Sequence, residues 1–153
     1  MTVEQHFAAY QQYHQDKLNK LCHYVFIPWI VYAVLNLFYQ IPHLEIAGHS
    51  IDWAILFYLS VSLFYFSLDW RLTLGIGLLA FPLYLLARVT DWKIGVGAFL
   101  IGWLFQFLGH HHEGKKPAFL TNALHLLIGP LWITSHLMET VGLWTPRRVE
   151  VAQ

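Results

Sequence analysis

The sequence predicts an all-α integral membrane protein, a bundle of helices embedded in a lipid bilayer. Of 153 residues, 57% are hydrophobic and 17% are aromatic, whereas only 12% are charged. Average soluble domains carry about 25% charged residues. A soluble domain of this length cannot cover so much apolar surface with a single core, whereas lipid can. The apolar residues also fall in long runs and lack the alternation that is typical of a membrane barrel.

Four apolar segments approach the length of about 20 residues that a helix needs to cross the hydrocarbon core. Trp and Tyr residues near their ends suit the membrane interface. The connectors are short, which favours antiparallel neighbours in one bundle. We find no internal repeat and no low-complexity linker, so we predict one domain over residues 1–153. The predicted spans are Tyr24–Tyr39, Trp53–Leu68, Leu72–Ala87 and Ile94–Leu108.

The last apolar segment, residues 119–143, carries several polar residues and leaves three alternatives open. It is a fifth span, a re-entrant pair of half-helices, or a helix in the interface. The basic residues favour four spans, with the N-terminus in the cytoplasm and the last segment returning to that side. Only Arg88 and Lys93 then lie outside. The inside residues are Lys17, Lys20, Arg71, Lys115, Lys116, Arg147 and Arg148.

Several other classes of protein lack support in the sequence. The formal net charge is zero, so there is no electrostatic case for nucleic acid or an acidic partner. The single cysteine, Cys22, allows no disulfide within the chain and no cysteine-based zinc site. The polar N-terminus predicts no cleavable signal peptide. We find neither a Gly-rich phosphate loop nor a Gly-x-Ser-x-Gly elbow.

Ten histidines are many for this length, and two groups of them converge in a four-span bundle. His14 and His23 precede the first span, and 110–112 follow the fourth, so both groups lie at one face. His14 and His23 are nine residues apart, about half a turn out of phase on a straight helix. They serve one site only if the helix breaks or bends between them, and Asn19 is a predicted N-cap there.

Helical spacing relates a carboxylate and an amide to these histidines. His110 and Glu113 are three residues apart, and Asn19 and His23 are four apart, so each pair shares a helix face. Imidazole with carboxylate and no thiolate suits iron, zinc, copper or nickel. No metal-binding role is predicted for His6, His43 or His49, and His136 is interpreted as structural.

These two stretches together resemble the fungal and bacterial 2-hydroxy fatty acid dioxygenase family. The family pattern His-x4-Asn-x3-His-x4-Pro is met by His14, Asn19, His23 and Pro28. The apolar spans between and after the motifs also match in placement, so the resemblance covers nearly the whole chain. The pattern Gln-x2-Gly-His, then Glu, then Pro-Ala is met by Gln106, Gly109, His110, Glu113, Pro117 and Ala118.

Three departures from the family pattern stand out. Many members have one more residue between the Gly-His and the Glu, and the run of three histidines at 110–112 is unusual. Members often carry Asp-Asn-Leu followed by Gln, where this chain has Asn122-Ala123-Leu124-His125. His125 is therefore a candidate for an added ligand or for a residue that orients a ligand.

The resemblance implies an iron(II) enzyme of fatty acid α-oxidation in the bacterial inner membrane or the endoplasmic reticulum. It would convert a long-chain 2-hydroxy fatty acid and O2 to the acid one carbon shorter, with CO2 and water. All four electrons come from the substrate, so no oxoglutarate, NADPH or flavin is required. The predicted Fe2+ ligands are His14, His23 and His110, with His111 or His112 as a fourth, and Asn19, Gln106 and Glu113 orient the imidazoles.

Two other classes of function remain open. One is a non-enzymatic membrane protein that binds or transports lipids, although the four spans contain no charged pair and no repeated half with broken helices. The other is a zinc-dependent membrane hydrolase. The identity of the metal separates this last class from the oxygenase.

Overall fold

The computed structural model describes residues 1–147, and the all-α prediction is confirmed apart from one small hairpin. Arg148, which was counted among the inside charges, lies outside the described residues. The α-helices are α1 (Val3–Gln11), α2 (Lys17–Tyr39), α3 (Trp53–Leu68), α4 (Trp70–Val89), α5 (Trp92–Glu113) and α6 (His125–Thr140). The strands are β1 (Leu44–Ile46) and β2 (His49–Ile51), and a short 3-10 helix covers Ala118–Leu120.

Within residues 1–147, three helices, α2, α4 and α5, are long and apolar enough to cross a membrane. Helix α3 begins and ends at the predicted residues of the second span, but it has only 16 residues. At 1.5 Å per residue it is about 24 Å long, which is less than the hydrocarbon thickness of about 30 Å. By length alone three spans qualify, so the count of four stays a prediction.

The chain breaks before the first span, as a shared site for His14 and His23 requires, but the cap was predicted at the wrong residue. Asp16 is the N-cap of α2, and its carboxylate accepts hydrogen bonds from the backbone N–H groups of Leu18 and Asn19. Asn19 instead lies in the first turn of the helix, where its side chain is free to point elsewhere. An aspartate caps as well as an asparagine does, so sequence preference alone does not separate the two.

Helix α1 was not predicted, although its start carries a recognisable signal. Thr2 and Gln5 form a capping box in which each side chain accepts a hydrogen bond from the backbone N–H of the other residue. The helix buries Val3, Phe7 and Tyr10. It therefore packs back onto the bundle and positions the chain that leads to His14.

The connector between α2 and α3 forms the antiparallel hairpin of β1 and β2, which was also not predicted. Ala47 and Gly48 have φ angles of 51° and 78°, the left-handed region that two-residue hairpin turns require. His43 and His49 lie at this end of the bundle, opposite to the end that carries His14, His23 and His110. Their lack of an assigned role stays a prediction.

Helix α5 packs closely along α2 through three glycines spaced seven residues apart, which places them on one face. These glycines are Gly95, Gly102 and Gly109, all buried. A Cβ atom built on Gly109 would lie 2.6 Å from Asn19 Oδ1 and 3.2 Å from Asn19 Cα. Small residues thus let the two backbones approach, as expected for helices in lipid, and this approach carries the next residue, His110, against α2.

Helix α6 covers the histidine end of the bundle and contacts α1, α2 and α4. Its residues Ile128, Leu131 and Trp132 are fully buried. Just beyond it, the Trp144 indole N–H donates to Asp69 Oδ2 at 3.0 Å, in the turn between α3 and α4. This turn is at the same end as the start of α2. That this last segment returns to the cytoplasmic side stays a prediction.

Candidate metal centre

Three buried histidines from three parts of the chain meet beneath α6. His14 lies in the loop between α1 and α2, His23 lies on α2, and His110 lies near the end of α5. One ring nitrogen of each lies within 4.8 Å of the others, close enough for all three to hold a single metal ion. The structure therefore brings together three of the four predicted ligands, and their role as ligands stays a prediction.

Backbone carbonyls determine which nitrogens of His14 and His23 carry a proton. His14 Nδ1 lies 2.7 Å from the carbonyl oxygen of Tyr10, and His23 Nδ1 lies 2.9 Å from that of Asn19. A carbonyl only accepts, so both Nδ1 atoms donate. In the neutral rings each Nε2 then has a lone pair. Metal-binding histidines have this arrangement, because a hydrogen bond at the far nitrogen orients the ring.

The two lone pairs face each other at a distance that suits a shared cation. The two Nε2 atoms are 2.9 Å apart, and in neutral rings of these tautomers no hydrogen lies between them. Nitrogens that bind one ion at about 2.1 Å and at a right angle are about 3.0 Å apart. A metal ion bound by both nitrogens would remove the repulsion between their lone pairs.

Burial keeps the imidazole of His14 in the form that binds metals. Removal from water lowers the pKa of His14 to about 4, and the neighbouring imidazole of His110 acts in the same direction. The hydrogen bond to Tyr10 and the carboxylate of Glu113 oppose this shift but do not reverse it. His14 is consequently neutral near pH 7, as a ligand must be.

Asn19 and Glu113 clamp the loop and the two helices around the histidines. The Asn19 amide Nδ2 donates to Glu113 Oε2 at 2.6 Å and to the Tyr13 carbonyl at 3.2 Å, and it lies 3.4 Å from His110 Nδ1. The other oxygen of Glu113 accepts from the backbone N–H of Gln15 at 2.8 Å and lies 3.2 Å from Lys115 Nζ. Glu113 therefore supports the site through Asn19 and the loop.

The orientation of the Asn19 amide follows from its neighbours. Turning it over would place its oxygen against the carboxylate of Glu113, which is unfavourable. In the orientation present, the amide oxygen is buried, has no hydrogen-bond partner among the described residues, and packs on Gly109. The third predicted orienting residue, Gln106, is also buried, and its amide donates to the Cys22 carbonyl at 3.3 Å, one residue before His23.

The structure does not bring the fourth predicted ligand, His111, to the other three. Successive helical residues point about 100° apart, so with His110 turned inward His111 lies on a different face of α5, where it is exposed. His112 is exposed as well, and its Nε2 lies 3.9 Å from Asp16. His125 comes closer: it is buried, its Nδ1 donates to the Ala118 carbonyl at 3.0 Å, and it lines the same cavity as the three central histidines.

Two aromatic residues complete the surroundings of His14. Tyr10 stacks on His14 with ring centroids 4.0 Å apart, and Trp132 lies 5.9 Å from the same ring. Tyr10 lies in α1 and His14 in the turn that follows it, where the His14 backbone N–H donates to the Gln11 carbonyl at 3.0 Å and keeps the two rings close. Trp132 comes from α6, and nothing in its local sequence places it there.

His136, interpreted as structural, donates to the Trp132 carbonyl at 2.8 Å.

A long apolar cavity of about 460 Å³ opens directly onto the histidines. Helices α2, α3, α4 and α5 form its walls, together with part of the chain from Ala118 to Pro130. The volume falls within the range of about 300–1,000 Å³ that is common for small-molecule sites. At the histidine end the lining is polar, and along the helices it is almost entirely aliphatic and aromatic. An amphipathic molecule with one polar end fits such a space.

The fold and the site define a class of helical protein with apolar helices long enough to cross a membrane and a buried group of histidines that could hold a metal. The chain belongs to the family described as "2-hydroxy-palmitic acid dioxygenase Mpo1-like", which matches residues 1–141. It is 29% identical over 146 residues to the 2-hydroxy-palmitic acid dioxygenase MPO1 of Saccharomyces cerevisiae, covering 93% of this chain and 83% of that protein. No solved structure matches the chain significantly.

Proposed function

We propose that this protein is an iron(II)-dependent dioxygenase that shortens long-chain 2-hydroxy fatty acids by one carbon. The observation that carries the proposal is the opening of three buried histidines into one end of a long apolar cavity. Family membership agrees with it, since the matched family and the yeast relative are both named for 2-hydroxy-palmitic acid. The reaction R-CH(OH)-COOH + O2 → R-COOH + CO2 + H2O balances without another reductant.

The polar residues of the site divide into those that hold the metal and those that orient them. His14, His23 and His110 would bind Fe2+ through their unprotonated nitrogens. When bound, the iron supplies a Lewis acid and a redox centre at which O2 and the 2-hydroxy acid react. Asn19, with Glu113 behind it, fixes the position of α2 relative to α5.

The chain's own residues also orient the substrate and exclude water. The substrate's carboxylate and hydroxyl would lie at the histidines, with the tail along the apolar walls. His125 and Gln106 line the polar end. The Gln106 amide can donate or accept a hydrogen bond, whereas Nε2 of neutral His125, whose Nδ1 donates to Ala118, can accept one from the substrate's hydroxyl. A site that holds the C1–C2 bond in one position reduces the entropic cost of the reaction.

We further propose that the protein spans the membrane four times, with the site on the cytoplasmic side. The basic residues support this orientation. Lys17, Arg71 and Lys115 lie at the histidine end of the helices, and Arg88 and Lys93 lie at the other end. Cytoplasmic ends of membrane helices carry the excess of Lys and Arg. A lipid-soluble substrate would then reach the cavity from the bilayer.

The test is a product assay with detergent-purified protein. Protein loaded with ferrous iron is incubated with O2 and 2-hydroxyhexadecanoic acid, and pentadecanoic acid is measured by mass spectrometry. We expect one O2 consumed per acid formed, and no product under argon or after treatment with an iron chelator. Zinc-loaded protein gives no product.

Variants link the product to the site. His23→Ala and His110→Ala are expected to lose both bound iron and turnover. His49→Ala, in the hairpin at the opposite end, is the matched control and keeps both. The proposal is wrong if either site variant retains iron and full turnover. Turnover of an ester substrate by zinc-loaded protein under argon would instead favour a hydrolase.

A further inference from the structure

We propose that four side chains at the far end of the cavity form a floor that sets the chain length of the substrate. This inference rests on the proposed function, because it takes the occupant of the cavity to be the tail of a 2-hydroxy fatty acid. The floor consists of Leu35 on α2, Phe57 on α3, Ala80 on α4 and Phe99 on α5. All four line the same cavity as the histidines.

The antiparallel order of the helices identifies the floor. Helices α2 and α4 run away from the histidine end, and α3 and α5 run towards it. On α2 and α4 the last lining residues are Leu35 and Ala80, and on α3 and α5 the first are Phe57 and Phe99. Each is therefore the lining residue of its helix that lies furthest from the metal centre.

The helical rise along α2 and along α5 gives two independent values for the depth of the cavity. From His23 to Leu35 is 12 residues of α2, and from Phe99 to His110 is 11 residues of α5. At 1.5 Å per residue these distances are about 18 Å and about 16.5 Å. Each methylene advances an extended chain by about 1.25 Å, so roughly 13 to 14 methylenes fit, which corresponds to an acid of about 16 carbons.

Tightly packed residues close the space beyond the floor. Leu35 belongs to a core cluster against which Phe57 and Phe99 pack. Its members Ala54 on α3 and Ala87 on α4 lie further from the histidines than the floor residues of the same helices, and both are completely buried. Next to it the Tyr84 hydroxyl donates to Asp52 Oδ2 at 2.7 Å. Because Ala54 and Ala87 have no exposed surface, a tail that extends past the floor between the helices has to displace packed side chains.

Ala80 is the most informative position, because its small side chain leaves space that a larger one would fill. A phenyl ring on its Cβ reaches about 4 Å further, which equals roughly three methylenes. Ala80→Phe is expected to lower kcat/KM for the 16-carbon acid by roughly tenfold or more, since each mismatched methylene in an apolar pocket has an effect of that order. The preferred substrate becomes two to four carbons shorter. Phe99→Ala shifts the preference towards longer acids.

The experiment compares 2-hydroxy acids of 10 to 20 carbons on wild type and variants, with iron content measured for each. Binding of the matching non-hydroxylated acids, by displacement of a fluorescent fatty acid, is measured in parallel. Leu78→Phe, on the exposed side of α4 (77% exposed), is the matched control and leaves the preference unchanged. We expect the two floor variants to shift the preference in opposite directions in both assays.

The two measurements separate this inference from the proposed function. Shifted binding preferences without any product would retain the floor and reject the dioxygenase. Product from every variant with an unchanged optimum near 16 carbons would overturn the floor. If Ala80→Phe does not fold, the shift of Phe99→Ala decides: a preference that does not lengthen rejects the inference.

Discussion

Replacing Asn19 by alanine tests whether the amide of this residue holds the metal centre together. Its Nδ2 donates to the carboxylate of Glu113 at 2.6 Å and to the Tyr13 carbonyl at 3.2 Å. The glutamate side chain is only 5% exposed, so water does not readily replace the amide. Asn19→Ala therefore removes the link between α2 and the end of α5 that carries His110.

The expected size of the effect follows from these contacts. A hydrogen bond to a charged group contributes about 1.5–3 kcal/mol, and a neutral one about 1 kcal/mol. The free energy of unfolding should thus fall by roughly 2–4 kcal/mol. Loss of a group that orients a metal ligand typically lowers metal affinity by about 10- to 100-fold. The metal affinity of Asn19→Ala should fall by an amount in this range.

The same helix offers a closely matched control in Asn36. Both asparagines are fully buried on α2, and both face a glycine of α5. In the part of the chain that the structure describes, the amide oxygen of each has no hydrogen-bond partner. Asn36 Nδ2 donates to the carbonyls of Ala87 and Thr90 at 2.9 and 3.1 Å, at the end of the bundle away from the histidines. Asn36→Ala should lower stability without changing metal affinity.

The assay measures two quantities on each variant. Metal affinity is obtained by competition with a chromophoric chelator, and stability by thermal unfolding of the metal-free protein in detergent. Equal losses of metal affinity in Asn19→Ala and Asn36→Ala would mean that general destabilisation explains the effect. Unchanged affinity in a folded Asn19→Ala variant would refute the assigned role of the amide.

Three further predictions follow from the same geometry. His23→Ala should abolish stoichiometric iron binding, whereas His111→Ala should retain it, as elemental analysis would reveal; loss in both contradicts the three-histidine site. Gly109→Val should separate α5 from α2 and lower metal affinity at least tenfold. Gly97→Val is the control and should leave metal affinity unchanged, because a Cβ atom added there meets nothing within 4 Å; equal losses in both variants would reject the close approach at Gly109. Because burial lowers the pKa of His14 to about 4, the unfolded state binds the extra proton between about pH 6.5 and 4. The metal-free protein should therefore lose stability as pH falls through this window, and His14→Gln should weaken that loss in thermal unfolding measured against pH; an identical pH profile would contradict the burial of His14.

Much of the helical architecture was open to prediction from composition and hydropathy. The four apolar segments all became helices, and Trp53–Leu68 has the predicted ends. Such agreement is expected, because the length of an apolar run and its flanking aromatic residues are local properties. Helix α1 and the hairpin at Ala47 and Gly48 were missed, since short elements are marked by only two or three residues each.

The site was predictable where spacing and topology decide it. The nine-residue separation of His14 and His23 required a break in the helix. The break lies between Gln11 and Lys17, and the N-cap is Asp16 rather than Asn19. The order of the spans placed His110 at the same end. The run of three histidines does not predict which side of α5 faces α2. In the structure that side carries His110, and His111 is exposed.

By itself the sequence determined the helical class, the approximate spans, the family resemblance and the candidate residues, because these depend on local composition and on motif spacing. Only the tertiary structure decided which imidazoles meet, since Gly109 sets the rotation and distance of α5 against α2. It also revealed the facing Nε2 atoms of His14 and His23 and the depth of the cavity. These features arise from packing between helices that are distant in sequence, and no local pattern encodes the distances between them.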